Sequence, residues 1–278
     1  MIDEIIKFAL REDVGEGDHT SLACVPADAT GTAKLLVKDE GVIAGVELAE
    51  RIFEQYDSSL KMEKYILDGS KVKPGDIVFE VSGKSRSILA TERLALNFMQ
   101  RMSAIATQTK SIVDLISGTN TILLDTRKTT PGIRAAEKWA VTIGGGSNHR
   151  FGLYDMIMIK DNHIDYAGGI QSALERVSRY IDDKKLKIKI EIDVRDEKEL
   201  DEVLEFGNVD RIMLDNFTPE QITAVLPRIP DNIETEASGG ITRENIRGFA
   251  ETGINYISSG ALTHSVKSMD LSLKAVYK

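Results

Sequence analysis

The sequence predicts an α/β protein: an α+β layer built on an antiparallel sheet up to about residue 105, then a short β/α barrel of six or seven strands. Three observations carry this. From about residue 121, apolar β-branched runs alternate with helical patterns. The runs are almost wholly apolar, as strands covered on both faces are. Nearly every run stops at a charged or small residue, as strands converging on the mouth of a barrel do.

The six runs are 121–124, 156–159, 188–192, 211–214, 233–237 and 256–258. Between them, 169–180 has apolar residues at helical spacing, and 196–206 is rich in Glu, Leu and Lys. Thr218-Pro-Glu-Gln and Thr242-Arg-Glu-Asn read as helix N-caps. The runs end at Asp125, Lys160, Glu191 with Asp193, Asp215, Ser238 and Gly260. In the first part, 33–37 alternates apolar and polar, and Gly41 to Gly45 reads as a bend. A helical face lies at 48–53. Lys71-Val-Lys-Pro-Gly-Asp is a tight turn feeding a strand at 77–81, and 88–106 is a long helix. Residues 268–278 read as a short final helix that packs on either part. The domains are then 1–105 and 106–278.

Composition narrows the function. The chain has 278 residues, 42% of them hydrophobic and 28% charged, with a net charge of −9. That field repels polyanions, so no nucleic-acid partner is expected. No apolar run approaches the roughly 20 residues that span a bilayer, and the acidic amphipathic start does not read as a signal peptide. The single cysteine, Cys24, allows no internal disulfide and reads as a small packing residue. A reducing, cytoplasmic setting is expected.

Positive charge is nevertheless concentrated in two loops. Asp125-Thr-Arg127-Lys128-Thr-Thr-Pro131-Gly follows the first barrel strand, with a proline taken as a helix start. Cations, hydroxyls and a helix N-terminus together suit an anion. Gly144-Gly-Gly-Ser-Asn-His149-Arg150 is a glycine-rich loop, and Lys160-Asp-Asn-His163 follows the next strand. Arg127, Lys128, Arg150 and Lys160 repel one another unless an anion with several charges fills the space between them. Glu191, Asp193 and Asp215 oppose them in sign, which suits Mg²⁺, sugar hydroxyls or a developing cation. Glu236-Ala-Ser238-Gly239-Gly240 and Ser258-Ser-Gly260-Ala261 end the last two strands with small residues, which let backbone N–H groups approach a phosphate.

The ordered set resembles the quinolinate phosphoribosyltransferases along nearly the whole chain. It runs from Glu12-Asp13 and Gly17-Asp18 through Thr91-Glu-Arg93-Leu-Ala-Leu-Asn97, Asp125-Thr-Arg-Lys-Thr-Thr-Pro-Gly132, Asn148-His-Arg150 and Ile159-Lys-Asp-Asn-His163. It continues through Glu191-Ile-Asp193, Leu214-Asp-Asn-Phe217, Glu236-Ala-Ser-Gly-Gly240 and Ser259-Gly-Ala-Leu-Thr263. The resemblance implies an N-terminal open-faced α+β sandwich with an incomplete barrel, working as a homodimer. It implies transfer of phosphoribosyl from phosphoribosyl pyrophosphate to quinolinate, with Mg²⁺ required. By matching position, Arg127, His149, Arg150 and Lys160 form the quinolinate-carboxylate pocket, joined by Arg93 from the partner subunit. Lys128 meets the pyrophosphate. Glu191 and Asp215 hold the ribose hydroxyls and Mg²⁺, and Ser238, Gly239 and Gly260 cradle the 5′-phosphate. The alternatives are a molybdate-transport-associated paralogue, a Schiff-base aldolase using Lys160, and a non-catalytic metabolite-binding barrel.

Overall fold

The computed structural model describes residues 1–276. The chain divides into two compact units. The first holds Met1–Ser111, Lys128–Gly146 and the described residues from Ala261; the second holds Ile112–Arg127 and Ser147–Gly260.

The first unit is built on a four-stranded antiparallel sheet. Its strands are β1 (Thr30–Val37), β3 (Lys61–Lys64), β5 (Ile77–Lys84) and β12 (Leu271–Ala275), in the order β12-β1-β5-β3. A small second ladder pairs β2 (Gly41–Val42) with β4 (Lys71–Val72). The alternation in β1 sends Ala33, Leu35 and Val37 to one face, where they are buried. The helix Val46–Tyr56 has a buried apolar stripe of its own, and the long helix is Ser85–Leu115. Phe53 and Phe79 touch edge to face at 6.0 Å. That geometry sets the positive ring edge against the negative ring face. The long helix exceeds the expected 88–106 at both ends.

The end of the chain corrects one expectation. Residues 268–276 form no helix; Leu271–Ala275 is a strand paired with β1 from Val37↔Leu271 to Ala33↔Ala275. Leu271 and Leu273 alternate inward, a period of two hidden in a segment too short to tell from a helix. Tyr277 and Lys278, which the helix expectation also covered, lie outside the described residues.

The second unit is a six-stranded parallel sheet: β6 (Ile122–Leu124), β7 (Ile157–Ile159), β8 (Ile190–Val194), β9 (Arg211–Asp215), β10 (Glu234–Ser238) and β11 (Tyr256–Ser258). Each falls on one of the six apolar runs. Their order is β6-β11-β10-β9-β8-β7. From β7 to β11 sequential strands are neighbours, and the first strand, β6, lies beside the last, which is the winding of a barrel; a doubly wound sheet would reverse at a switch point. β6 and β7 do not pair, so the barrel is incomplete, as the resemblance implied.

Of the three expected helix starts, one holds and two do not. Thr218 caps Pro219–Val225 through a reciprocal pair with Gln221, as its motif predicts. Thr242 caps nothing: the helix there starts at Ile246, and the Asn245 side chain turns back to accept from the Thr242 N–H at 2.7 Å. Pro131 does not open a helix either; the helix starts at Arg134. Cys24 is exposed at the end of a short helix and packs in no core.

Candidate active site

Strand register decides which side chains meet. Glu191 lies beside Arg211, and Arg211 beside Glu234. Two residues further along, Asp193 lies beside Met213, Met213 beside Glu236, and Glu236 beside Tyr256. Two further still, Asp215 lies beside Ser238. Side chains two apart share a face, so all these groups look to the same side of the sheet. The intervening residues Ile190, Ile192, Ile212, Leu214, Ala237 and Ile257 are buried on the other. The strands are therefore apolar towards one face and charged towards the barrel interior.

The lowest layer is a closed ionic cluster. Arg211 Nη1 is 2.9 Å from Glu236 and 3.9 Å from Glu191, its Nη2 is 2.9 Å from Glu234, and its guanidinium lies 4.1 Å over the Tyr256 ring. His149 Nε2 is 3.0 Å from Glu191 and 3.4 Å from Glu236. Burial opposes a charged His149, but bonds from the two carboxylates outweigh it and draw its proton affinity up to about 9. The Arg150 N–H opposes a second proton, because it lies 2.7 Å from Nδ1 and needs that lone pair. The resting ring therefore carries its proton on Nε2, towards Glu191. His149, Glu191 and Glu236 have one donor atom each within 4.8 Å of the others. Arg211 already supplies the positive charge that a metal ion would bring there.

Glu191 is thus not at the mouth. It is fully buried, and burial pushes its proton affinity up against the His149 bond. Asp193 is the acid that feels the Asp215 charge. Burial first, and then the Asp215 charge, raise the Asp193 carboxyl to about 7, with Lys160 opposing. Lys160 Nζ stands 4.0 Å from Asp193 Oδ2. The sequence flagged Asp193 but placed Glu191 in the ligand set. The period-two spacing puts both acids on one face, and only the register shows which lies deeper.

The cations gather at the same end. Asp125, fully buried, accepts from the His149 N–H at 2.8 Å and so fixes the loop that presents Arg150. Burial lowers the proton affinity of Arg150, and so does the neighbouring charge of Arg127. Arg150 is buried and Arg127 exposed, and two like charges this near each other suit an anion between them. Ser238 sits on the rim beside Asp215, and Gly239 and Gly240 take positive φ directly after it. Ser259, which precedes Gly260, donates its N–H to the Leu124 carbonyl.

Two expected site residues belong to the first unit. Lys128 is exposed, and its carbonyl accepts from the Thr263 hydroxyl at 2.7 Å. The loop after it is tied down by buried Glu137, which accepts from the Thr130 N–H and hydroxyl and pairs with Arg101. Arg93 is exposed on the long helix. The glycine-rich stretch is also more than a flexible link: a Cβ on Gly144 would lie 2.5 Å from the Ala106 carbonyl oxygen, so the helix packing needs glycine there.

Sequence comparison agrees with this geometry. Residues 18–103 match the quinolinate phosphoribosyl transferase N-terminal domain, and residues 105–274 match its C-terminal domain. A Nicotiana tabacum protein named quinolinate phosphoribosyltransferase [decarboxylating] 1b is 47% identical over 97% of this chain and 81% of its own length. A Bacillus subtilis protein named probable nicotinate-nucleotide pyrophosphorylase [carboxylating] is 40% identical over 98% of this chain and 92% of its own. The crystal structure of NadC from Streptococcus pyogenes superposes with a TM-score of 0.93 at 39% identity, covering 100% of this chain and 97% of that one. With its cations and acids set at one end of a six-stranded incomplete barrel, and with both halves matched, the chain belongs to the quinolinate phosphoribosyltransferase family.

Proposed function

We propose that this protein transfers the phosphoribosyl group of phosphoribosyl pyrophosphate to quinolinate. Pyrophosphate and CO₂ leave, and nicotinate mononucleotide for NAD synthesis remains. The observation that carries this reading is the pairing, in one barrel, of the Arg127–Arg150 anion site with the Asp193–Asp215 acid pair.

The ring nitrogen of quinolinate forms a bond to C1 of the ribose as the C1–oxygen bond to pyrophosphate breaks. Positive charge builds on the sugar in between, and Asp193 and Asp215 favour it. The positive ring nitrogen then stabilises the electron pair that the breaking C–CO₂⁻ bond leaves on the adjacent ring carbon, CO₂ departs, and that carbon takes a proton. Arg127, Arg150 and Lys160 hold the carboxylates, with His149 buttressing Arg150 from below. Lys128 meets the leaving pyrophosphate, and Ser238, Gly239 and Gly260 receive the 5′-phosphate.

Asp193 replaces Glu191 in this scheme as partner of Asp215. Both acids fit Mg²⁺: carboxylate oxygens are its preferred donors, and Asp193 Oδ1 is buried with no hydrogen-bond partner among the described residues. When bound, Mg²⁺ neutralises charge on the pyrophosphate. A homodimer in which Arg93 reaches the partner's pocket completes the reading, in a cytoplasmic setting. No helix among the described residues is long and apolar enough to cross a membrane.

The test supplies phosphoribosyl pyrophosphate and Mg²⁺ with quinolinate or with nicotinate. Nicotinate mononucleotide is expected from quinolinate only. No nucleotide from quinolinate, or equal yields from both acids, would overturn the reading.

A further inference from the structure

We propose that Asn216 is a positioning residue that locks the Asp215 carboxylate to the Gly239 turn, and so sets the spacing between the acid that faces the ribose and the loop that takes its 5′-phosphate. This rests on the function proposed above and adds a residue to it.

Asn216 has a φ of +59°, a left-handed conformation that side-chain-bearing residues seldom take and that asparagine takes where its amide finds a local hydrogen bond. Among the described residues only Lys185 and Asn208 share it outside glycine. Lys185 caps a helix C-terminus and Asn208 follows a helix-ending glycine, where left-handed residues belong. Asn216 follows a strand, so no helix end accounts for it.

What the conformation achieves is visible in the bonds. The Asn216 N–H donates to the Ser238 carbonyl at 2.8 Å, extending the β9–β10 ladder by one bond. The side chain folds back, and Nδ2 donates to Asp215 Oδ2 at 2.7 Å. A carboxylate can only accept, so the amide nitrogen must face Asp215 and Oδ1 must point away. It points at Gly239. A Cβ built on Gly239 would lie 2.2 Å from Asn216 Oδ1, closer than atoms can approach, and 3.0 Å from Asp215 Oδ1, a tight contact. Gly239 also has a φ of +86°. The acid, the amide and the bare glycine backbone thus interlock. Downstream, the Thr218–Gln221 capping pair fixes where the chain goes next, so the turn has little freedom to relax.

An acid held this way keeps its distance from the phosphate turn before a ligand arrives. For a ligand carrying both a ribose and a 5′-phosphate, that pre-set spacing is binding energy that need not be spent on ordering. Quinolinate carries neither group and should be indifferent to it.

The experiment compares Asn216→Gly and Asn216→Asp with wild type. Glycine keeps the left-handed backbone and removes the amide. Aspartate keeps the shape, loses the donor and sets a second charge beside Asp215. Both variants should raise the KM for phosphoribosyl pyrophosphate about tenfold and leave the KM for quinolinate within about twofold, with the Tm little changed. An unchanged KM for phosphoribosyl pyrophosphate in Asn216→Gly, or equal rises for both substrates, would overturn the proposal. Ribose 5-phosphate, titrated by calorimetry, reads the same spacing without turnover. If wild type makes no nucleotide, the functional reading fails, while weaker ribose 5-phosphate binding in the variants still supports the lock. Equal or absent binding in wild type and variants would sink it. A second cycle pairs Gly239→Ala with Asn216→Gly. The double variant should bind phosphoribosyl pyrophosphate better than Gly239→Ala alone, since the Oδ1 clash is gone; strictly additive losses would count against the interlock.

Discussion

His149 Nε2 lies 3.0 Å from a carboxylate oxygen of Glu191, and neither side chain has meaningful contact with solvent. The pair sits on Arg211 and Glu236, so a change at Glu191 is expected to reach the site through His149 and its loop. Glu191→Ala should cost about 3–5 kcal/mol of stability, because it leaves Arg211 short of a buried counter-charge and the His149 Nε2–H short of an acceptor. Glu191→Gln keeps an acceptor for Nε2 and should cost less. Thermal unfolding and KM values test this. The KM for phosphoribosyl pyrophosphate should move less in Glu191→Gln than in Asp193→Asn.

Asp193 is destabilised by its own surroundings. Its carboxyl is raised from 3.8 to about 7 by burial and by Asp215. The folded state therefore binds the proton more tightly than the unfolded chain does. That contribution favours folding fully below about pH 4 and is lost as the pH rises to about 7. Asp193→Asn should consequently be more stable than wild type at pH 8, by something on the order of a few kcal/mol. The difference should shrink towards pH 4. Turnover should fall in the same variant but stay measurable, because the charge developing on the sugar loses one of two carboxylates. Denaturant midpoints for both proteins across this range would reveal a constant difference if the raised carboxyl is not the cause.

The guanidinium pair makes a sharper claim on the acid substrate. Arg127→Ala and Arg150→Ala should each raise the KM for quinolinate by one or two orders of magnitude, roughly the worth of a charge-assisted bond. Lysine at either position should not restore it, since an ammonium lacks the planar fork that grips a carboxylate. Initial-rate kinetics in quinolinate, with phosphoribosyl pyrophosphate saturating, decide the matter.

Arg93 is exposed on its own chain, and its proposed partner is the other subunit's pocket. Arg93→Ala and Asp215→Asn should each be nearly inactive as pure dimers. Mixed, dissociated and reassembled, they should regain roughly a quarter of wild-type activity, because half the dimers then carry one intact site. An arginine serving its own subunit's site would give no recovery.

The last strand contributes to stability rather than chemistry. Leu273 is buried on β12, and Leu273→Ala should cost about 2–4 kcal/mol. Leu273→Asp should prevent the strand from docking. Hydrogen exchange would show the loss as faster exchange along β1, whose outer ladder β12 provides.

Much of this was legible in the residues because parallel strands advertise themselves. All six barrel runs became strands, and Asp125, Lys160, Asp193, Asp215 and Ser238 stand where strand ends were expected. What escaped the sequence was depth and long-range pairing. Glu191 and Asp193 share a face and differ only in register, which depends on where β9 aligns. Arg211 and Glu236 read as strand residues, and only folding joins them to His149. β12 pairs with a strand at the other end of the sequence, and nothing local to 268–276 distinguishes a short strand from a short helix. Thr242 shows the same limit at a cap, where the motif was present and the helix began later.

The pairing of β12 with β1 also fixes an order of events during synthesis. β1 leaves the ribosome early, while its outer neighbour follows roughly 230 residues later, a delay of roughly ten to fifty seconds at ordinary elongation rates. Through that interval the N-terminal sheet offers an unsatisfied edge to whatever extended segment comes near. The nascent chain is therefore most exposed to mispairing while its barrel is being made, and chaperone dependence should fall once residues 271–275 emerge.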